Sequence, residues 1–258
     1  MNTSAHGLRA LVTAGAAGIG RAIAQTFVEH GARVHICDID TNALAEMKRL
    51  APQVSQTVAD VANLADVDRL FTDVVRQLGG LDVLVNNAGI AGPTAKIEDI
   101  RPEDWDRCIA IDLNGMFYVT RQAMPLIKAA GGGSIVNLSS AAGRLGFPRR
   151  TPYAAAKWGV VGFTKSLAIE AGPDKVRVNC IQPGMVAGDR ISRVIEARAQ
   201  AKGISFEDER EDSLTAISLR TFVTAQDIAN MALFLSTDAG KNITCQALSV
   251  CGDHRYLS

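Results

Sequence analysis

The chain of 258 residues has no net charge and no long apolar segment. Its 27 basic residues balance 27 acidic ones, so no excess positive charge is present to hold a nucleic-acid backbone. No run of about 20 apolar residues occurs, which excludes a conventional membrane-spanning helix. The first residues lack the charged flank and apolar run of a signal peptide. We therefore expect a cytoplasmic protein that binds neither nucleic acid nor membrane.

Cysteine and histidine are also sparse. The five cysteines are odd in number and form no CxxC pair, and the four histidines show no metal-ligand spacing. We interpret the cysteines as buried or incidental thiols in a reducing compartment, and we expect no metal site.

Short apolar runs alternate with amphipathic segments along the whole chain. The runs are rich in Val, Ile and Leu, which is typical of strands covered on both faces of a parallel sheet. The predicted strands are 8–14, 33–38, 55–59, 81–86, 134–139, 176–181 and 246–250. The predicted helices are 18–30, 41–50, 64–78, 103–130, 153–171 and 225–235. This order predicts a single α/β domain over residues 1–258, a doubly wound, Rossmann-like sheet of seven parallel strands with helices on both faces.

One stretch, residues 188–220, breaks this rhythm because it is polar, charged and long for a connection between a strand and a helix. It is either a solvated pair of surface helices or a lid over a site at the carboxyl ends of the strands.

A glycine-rich turn follows the first predicted strand, in the sequence TAGAAGIG at 13–20. Its three glycines, Gly15, Gly18 and Gly20, permit a tight turn and let backbone N–H groups approach a pyrophosphate at a helix N-terminus. Such a turn alone is a weak signal, since it is also suited to a plain tight connection.

Acidic and amide side chains follow the next strands. Asp38 closes the second strand, where a carboxylate accepts hydrogen bonds from both hydroxyls of an adenosine ribose and repels a 2′-phosphate. Ala17 supplies no positive charge for such a phosphate, so the sequence predicts NAD(H) rather than NADP(H). Asp60-Val61 and the segment 86–89, NNAG, follow the third and fourth strands, where an adenine edge and a nicotinamide ribose would lie.

A phenol and an ammonium lie four residues apart at Tyr153 and Lys157, which places them on one face of a predicted helix. Ser140 precedes them at the end of the fifth strand. Hydride transfer to a carbonyl develops an alkoxide that a positioned phenol can protonate, and a serine hydroxyl can donate to the same oxygen. The combination predicts a carbonyl–alcohol oxidoreductase.

With these motifs, and with Pro183-Gly184 after the sixth strand, the chain resembles the short-chain dehydrogenase/reductase family over nearly its whole length. The resemblance implies that Tyr153 is the general acid/base, that Ser140 stabilises the reacting oxygen, and that Lys157 favours the phenolate and binds the ribose. It also implies a homotetramer or, less often, a homodimer. The cofactor-binding residues that we expect are Gly15, Ala17, Gly18, Ile19, Gly20, Asp38, Asp60, Val61, Asn87, Ala88, Gly89, Tyr153, Lys157, Pro183, Gly184 and Val186.

Two departures from the family pattern stand out. Ala14 occupies the place of the first glycine of the turn. Asp112, in the sequence DLNG at 112–115, occupies the place of a catalytic Asn that in the family helps to hold a water linked to the lysine. We include Asp112 among the catalytic residues, either as a tolerated near-isostere or as a charge that shifts the pH optimum.

Three arginines, Arg144, Arg149 and Arg150, lie in the loop between Ser140 and Tyr153. Such residues can hold an anionic group, although a solvated or subunit-facing cluster is the plainer alternative. We expect a polar, anionic or polyhydroxylated secondary alcohol or its ketone as substrate, with Arg150 as the candidate anchor.

Three other functions stay open at this point. A 3-oxoacyl thioester (acyl carrier protein) reductase would normally favour NADPH, which Asp38 and Ala17 oppose. A catalytically idle dinucleotide-binding regulator is opposed by the intact Ser140, Tyr153 and Lys157. A sugar-nucleotide epimerase usually needs a larger C-terminal substrate domain.

Overall fold

A computed structural model describes residues 3–257, without the side chains of residues 189, 190, 197 and 201, so residues 1, 2 and 258 of the predicted domain lie outside it. The strands are β1 (Arg9–Thr13), β2 (Arg33–Asp38), β3 (Ser55–Val58), β4 (Val83–Asn86), β5 (Gly133–Leu138), β6 (Val176–Pro183) and β7 (Ala247–Val250). They form one parallel sheet in the order β3-β2-β1-β4-β5-β6-β7. The predicted seven-stranded doubly wound sheet is therefore confirmed.

The helices run between the strands. They are α1 (Gly18–Glu29), α2 (Thr41–Leu50), α3 (Leu64–Leu78), α4 (Pro102–Ile109), α5 (Gly115–Ala129), α6 (Thr151–Ala171), α7 (Asp189–Lys202), α8 (Phe206–Thr215) and α9 (Ala225–Ser236). The helix predicted over 103–130 is interrupted, because a π-helical turn at Ala110–Asn114 joins α4 to α5. Within residues 3–257, no helix combines the length and apolarity that crossing a membrane requires.

The core lies on both faces of the sheet, as the unbroken apolar runs predict. On one face, Phe27 of α1 and Leu235 of α9 pack in the cluster that contains Val12 of β1. On the other, Leu70 of α3 belongs to the cluster of Leu11 of β1. Adjacent residues of β1 thus lie in opposite layers of the core.

The five cysteines are free thiols, and all but Cys245 are buried. Burial raises the pKa of Cys37 to about 12 and that of Cys180 to about 11, which makes them poor nucleophiles near neutral pH. The interpretation of most cysteines as buried thiols is confirmed.

Residues 188–220 form the helix pair α7 and α8, and both ends of the segment are held by backbone bonds. Ala187 N–H donates to the Val223 carbonyl at 2.7 Å, and Val223 N–H donates to that of Met185 at 3.1 Å. Near its far end, residues 216–219 bond through their backbone to the C-terminal residues 252–255.

His35 is a fully buried imidazole in β2. One ring nitrogen lies 2.8 Å from Ser55 Oγ and the other 3.0 Å from Thr57 Oγ1. Burial, with Arg76 in the same direction and Asp73 opposing it, lowers the pKa of His35 from 6.5 to about 4.

We predict that this neutral histidine makes the protein less stable as the pH falls from 6.5 to 4. In that window the unfolded chain takes up a proton that the folded protein refuses, at a cost of about 3 kcal/mol at the acid end. In urea denaturation from pH 4 to 7, His35→Gln should have a shallower pH dependence than the parent. His30→Gln, at an exposed histidine, is the control, and equal slopes for parent and His35→Gln would contradict the prediction.

Candidate active site

The polar motifs of the sequence meet at the carboxyl edge of the sheet. The glycine-rich turn follows β1, Asp38 ends β2, and Ser140 comes two residues after β5. The segment 87–89 follows β4. After β3 the chain crosses to the other side of β1 and adds β4 there, so the direction of strand addition reverses between β1 and β4. Open α/β sheets bind ligands at this point.

A clasp between Thr13 and Asn87 joins the ends of β1 and β4. The Thr13 hydroxyl accepts the backbone N–H groups of Asn87 at 2.9 Å and Ala88 at 3.0 Å. The Asn87 amide donates to the carbonyls of Thr13 at 3.0 Å and Ala14 at 3.1 Å. Sequence reasoning missed Thr13, although a hydroxyl at the first position of the glycine-rich turn was a visible signal.

The backbone of the glycine-rich turn lies very close to neighbouring groups at Gly20 and is open to solvent at Gly18. A Cβ at Gly20 would lie 2.0 Å from the Ala14 carbonyl oxygen and 2.6 Å from Asn87 Nδ2, so no side chain fits there. Gly18, with φ +52°, faces open space. Ala17, the N-cap of α1, carries no side chain that can bond the first N–H groups of the helix. These observations fit a phosphate-bearing ligand at the amino end of α1.

Ala14 adopts a left-handed backbone conformation, with φ +48°. Its Cβ makes this conformation costly, whereas glycine adopts it readily. The position where the family pattern has glycine is therefore strained here by a methyl group.

We predict that Ala14→Gly stabilises the protein by about 0.5–1 kcal/mol, because the strain relieved exceeds the added entropy of the unfolded chain. Chemical denaturation measures the change. Ala17→Gly removes the same methyl group from an extended residue with φ −143° and should destabilise slightly. A loss of stability in both variants would contradict the assignment of strain.

Asp38 lies against the glycine-rich turn. Its Oδ2 accepts the Ala16 N–H at 3.2 Å, and its Oδ1 accepts the Asp40 N–H at 3.1 Å. The carboxylate is thus oriented by two backbone donors and remains partly exposed at the end of β2. The residue next to Ala16 is Ala17, so position 17 is close to this carboxylate.

The remaining residues predicted to bind a cofactor also lie at this edge. Asp60 Oδ1 accepts the Ala62 N–H at 2.9 Å, and the buried Val61 side chain packs on Gly115 of α5. Gly184 N–H donates to the Val250 carbonyl at 3.0 Å, next to Pro183. Val186 pairs with Val223 at the base of α7.

Two neighbouring serines follow β5, and the first of them ties the end of the strand to α6. Ser139 Oγ donates to the Lys157 carbonyl at 2.8 Å, a contact that sequence reasoning did not find. Ser140 Oγ accepts the Ala142 N–H at 3.1 Å. Because that bond uses a lone pair, the Ser140 hydroxyl hydrogen is left to donate elsewhere.

Tyr153 and Lys157 share one side of α6. Lys157 Nζ lies 5.5 Å from the centroid of the Tyr153 ring and donates to the Leu138 carbonyl at 3.2 Å. The lysine is buried, whereas Tyr153 is partly exposed. A cation is therefore fixed beside a phenol that solvent or substrate can reach.

The third group at this lysine is Asp112, in the π-helical turn. Its Oδ2 lies 3.3 Å from Lys157 Nζ as an ion pair, without the geometry of a hydrogen bond. Its Oδ1 accepts the Ile90 N–H at 2.7 Å. Asp112 is thus in direct contact with the lysine.

The three loop arginines lie in different environments. Arg144 donates to the His254 carbonyl at 2.9 Å and therefore binds the C-terminal tail. Arg149 is exposed. The Arg150 guanidinium lies 5.4 Å from the Tyr153 ring centroid and donates to the Ala91 carbonyl at 2.5 Å. Of the three, Arg150 is the one beside the phenol.

The comparison with known proteins decides the family. Residues 14–252 match the family model described as "Enoyl-(Acyl carrier protein) reductase". The chain belongs to the short-chain dehydrogenase/reductase family. This family of oxidoreductases binds a nicotinamide dinucleotide, and the phosphate-suited end of α1 described above fits such a group.

Similar members of the short-chain dehydrogenase/reductase family have several substrates and both cofactors. The D-beta-hydroxybutyrate dehydrogenase of Cupriavidus necator is 37% identical over 244 residues, 92% of this chain and 94% of that protein. NAD+-bound xylitol dehydrogenase has a TM-score of 0.90 at 26% identity, covering 96% and 98% of the two chains. Actinorhodin polyketide ketoreductase with NADPH has a TM-score of 0.89 at 31% identity, covering 96% and 98%.

Proposed function

We propose that the protein is an NAD(H)-dependent dehydrogenase that interconverts a polar secondary alcohol and its ketone. The observation that carries this proposal is the buried Lys157 ammonium 5.5 Å from the ring of the partly exposed Tyr153, at the strand edge where Ser140 lies. The cofactor, held at α1 and by Asp38, would accept or donate the hydride.

In this mechanism the protein residues handle the proton and the developing charge. Tyr153 Oη gives a proton to the alkoxide in reduction and takes it back in oxidation. Lys157 favours the phenolate by its charge. Ser140, oriented by the Ala142 N–H, donates to the substrate oxygen as negative charge develops on it.

We predict that Tyr153→Phe lowers kcat by about 10³-fold, within the range for loss of a general acid/base, while NADH still binds. A panel of polar secondary alcohols and ketones, followed by NADH absorbance, supplies the assay. Tyr118→Phe makes the same change on α5 and should leave the rate unaltered. A Tyr153→Phe rate equal to the parent rate would contradict this role of Tyr153, whereas a catalytically idle binding protein would show no reaction in either the parent or the variant.

Asp38 and Ala17 support NAD(H) as the cofactor. A partly exposed carboxylate at the end of β2 would repel a 2′-phosphate. The residues from 38 to 42, DIDTN, contain no basic side chain that could bind one. One similar structure holds NAD+ and another NADPH, so the preference rests on these residues.

We predict that Asp38→Ala with Ala17→Arg raises the ratio of kcat/KM for NADP+ to that for NAD+ by about 100-fold, since a charge-assisted bond to phosphate replaces a repulsion. Kinetics with both cofactors measure the ratio. Ala17→Arg alone is the control, because its guanidinium would pair with the retained carboxylate and gain less. An unchanged ratio in the double variant would remove the basis for the NAD(H) proposal.

The substrate that we propose carries an anionic or polyhydroxylated group near the alcohol. Arg150 supports this choice, because its guanidinium lies beside the Tyr153 ring. The hydroxybutyrate dehydrogenase relative acts, by its name, on a hydroxy acid. The second candidate is a 3-oxoacyl thioester reductase, favoured by the acyl carrier protein in the family model's description and by the ketoreductase among the similar structures.

We further propose that α7 and α8, within residues 188–220, form a lid over the substrate, and that the protein is a homotetramer or homodimer. The base of α7 adjoins Gly184 and Val186 at the site. Apolar side chains are exposed on α5 and α6, where Phe117 is 46%, Trp158 52% and Ile169 76% exposed. Such an apolar surface supports pairing between copies of the chain.

A further inference from the structure

We infer that Asp112 is a positioning residue whose charge shifts the binding preference of the site towards the oxidised form of the nicotinamide cofactor. This inference rests on the proposed function, since it requires that the protein bind the dinucleotide beside Lys157. It concerns a carboxylate where the family pattern has a neutral amide.

The carboxylate and the ammonium form a closely held buried pair. Asp112 Oδ2 and Lys157 Nζ are 3.3 Å apart, and their side chains are 0% and 6% exposed. A Cβ at Gly89 would lie 3.1 Å from Lys157 Nζ and 3.2 Å from Asp112 Oδ2. Gly89, in the segment that follows β4, therefore packs directly on the pair, and both side chains are shielded from bulk water.

The π-helical turn aims the carboxylate at the lysine. Its Oδ1 is held by the Ile90 N–H at 2.7 Å, while Oδ2 has Lys157 as its partner. Lys157 also donates to the neutral carbonyl of Leu138. Among the described contacts of the Lys157 side chain, Asp112 therefore supplies the negative charge that compensates the ammonium.

Among the side chains that the structure describes, the other titratable groups around the pair do not supply this negative charge. Arg150 and Tyr153 lie on the side of α6, and Cys108 lies one helical turn before Asp112. Burial raises the pKa of Cys108 to about 11, and the Asp112 carboxylate adds to this rise. The thiol is therefore neutral near pH 7, and the other nearby charge, Arg150, is positive.

The nicotinamide ring carries one positive charge in NAD+ and none in NADH. A lysine ammonium without a compensating charge would therefore oppose the oxidised ring, whereas the paired Asp112 removes this opposition. Because the pair is shielded from solvent, its charges act through a medium of lower effective dielectric than water. The charge at residue 112 therefore changes the affinity for NAD+ relative to the affinity for NADH.

Asp112→Asn removes the negative charge with little change in the shape of the side chain. An amide oxygen can still accept the Ile90 N–H, so the local backbone contact is retained while the negative charge is lost. A purely structural role would change the binding of NAD+ and NADH by the same factor. Only the charge changes their ratio.

The test is calorimetric titration of the full chain with NAD+ and with NADH at pH 7. We expect Asp112→Asn to lower the ratio Kd(NADH)/Kd(NAD+) by about tenfold, which corresponds to about 30 mV in the potential of the bound two-electron couple. Asp106→Asn makes the same change at an exposed residue of α4 and should leave the ratio unchanged. If Asp112→Asn does not fold, Asp112→Ser, also uncharged, is titrated in its place.

An unchanged ratio in an uncharged variant of Asp112, with both dinucleotides still bound, would overturn the inference and leave the proposed function intact. A parent protein that binds neither dinucleotide would overturn the proposed function and the inference together. A shift of the ratio in Asp106→Asn equal to that in Asp112→Asn would also overturn it, because the effect would then be one of overall charge.

Discussion

The clasp between Thr13 and Asn87 is the contact on which the arrangement of the site depends. It joins β1 and β4 at the point where the chain changes direction across the sheet, and it uses both backbone and side-chain groups. Because the Asn87 amide reaches the Ala14 carbonyl, the start of α1 must pass close by, which is why residue 20 is glycine. The Thr13 hydroxyl and the Asn87 amide thus fix the ends of β1 and β4 relative to each other at the edge where the site lies.

A second set of contacts carries this arrangement across to the reacting groups. Ser139 bonds the backbone of α6 at Lys157, and the lysine ammonium contacts the end of β5 and Asp112. Strand β5, helix α6 and the π-helical turn therefore converge on a single side chain. The position of the Tyr153 ring follows from that of Lys157, because both residues lie on one face of the same helix.

The sequence was sufficient to predict the sheet and the edge at which the motifs meet, since parallel strands bring their carboxyl ends together. The spacing of Tyr153 and Lys157 likewise predicted their common face. The π-helical turn at Asp112 could not be predicted, because one extra residue in a helical turn leaves no periodic signal. The left-handed conformation of Ala14 was also hidden, since the residue type argues against it and tertiary contacts impose it.

The pairing of residues 216–219 with residues 252–255 links the segment that follows α8 to the C-terminal residues. Arg144 strengthens this link, because it binds the carbonyl of His254 from the loop that follows Ser140. If α7 and α8 form the proposed lid, the C-terminal residues 252–255 would influence its position through this pairing, although they lie far from α7 along the chain.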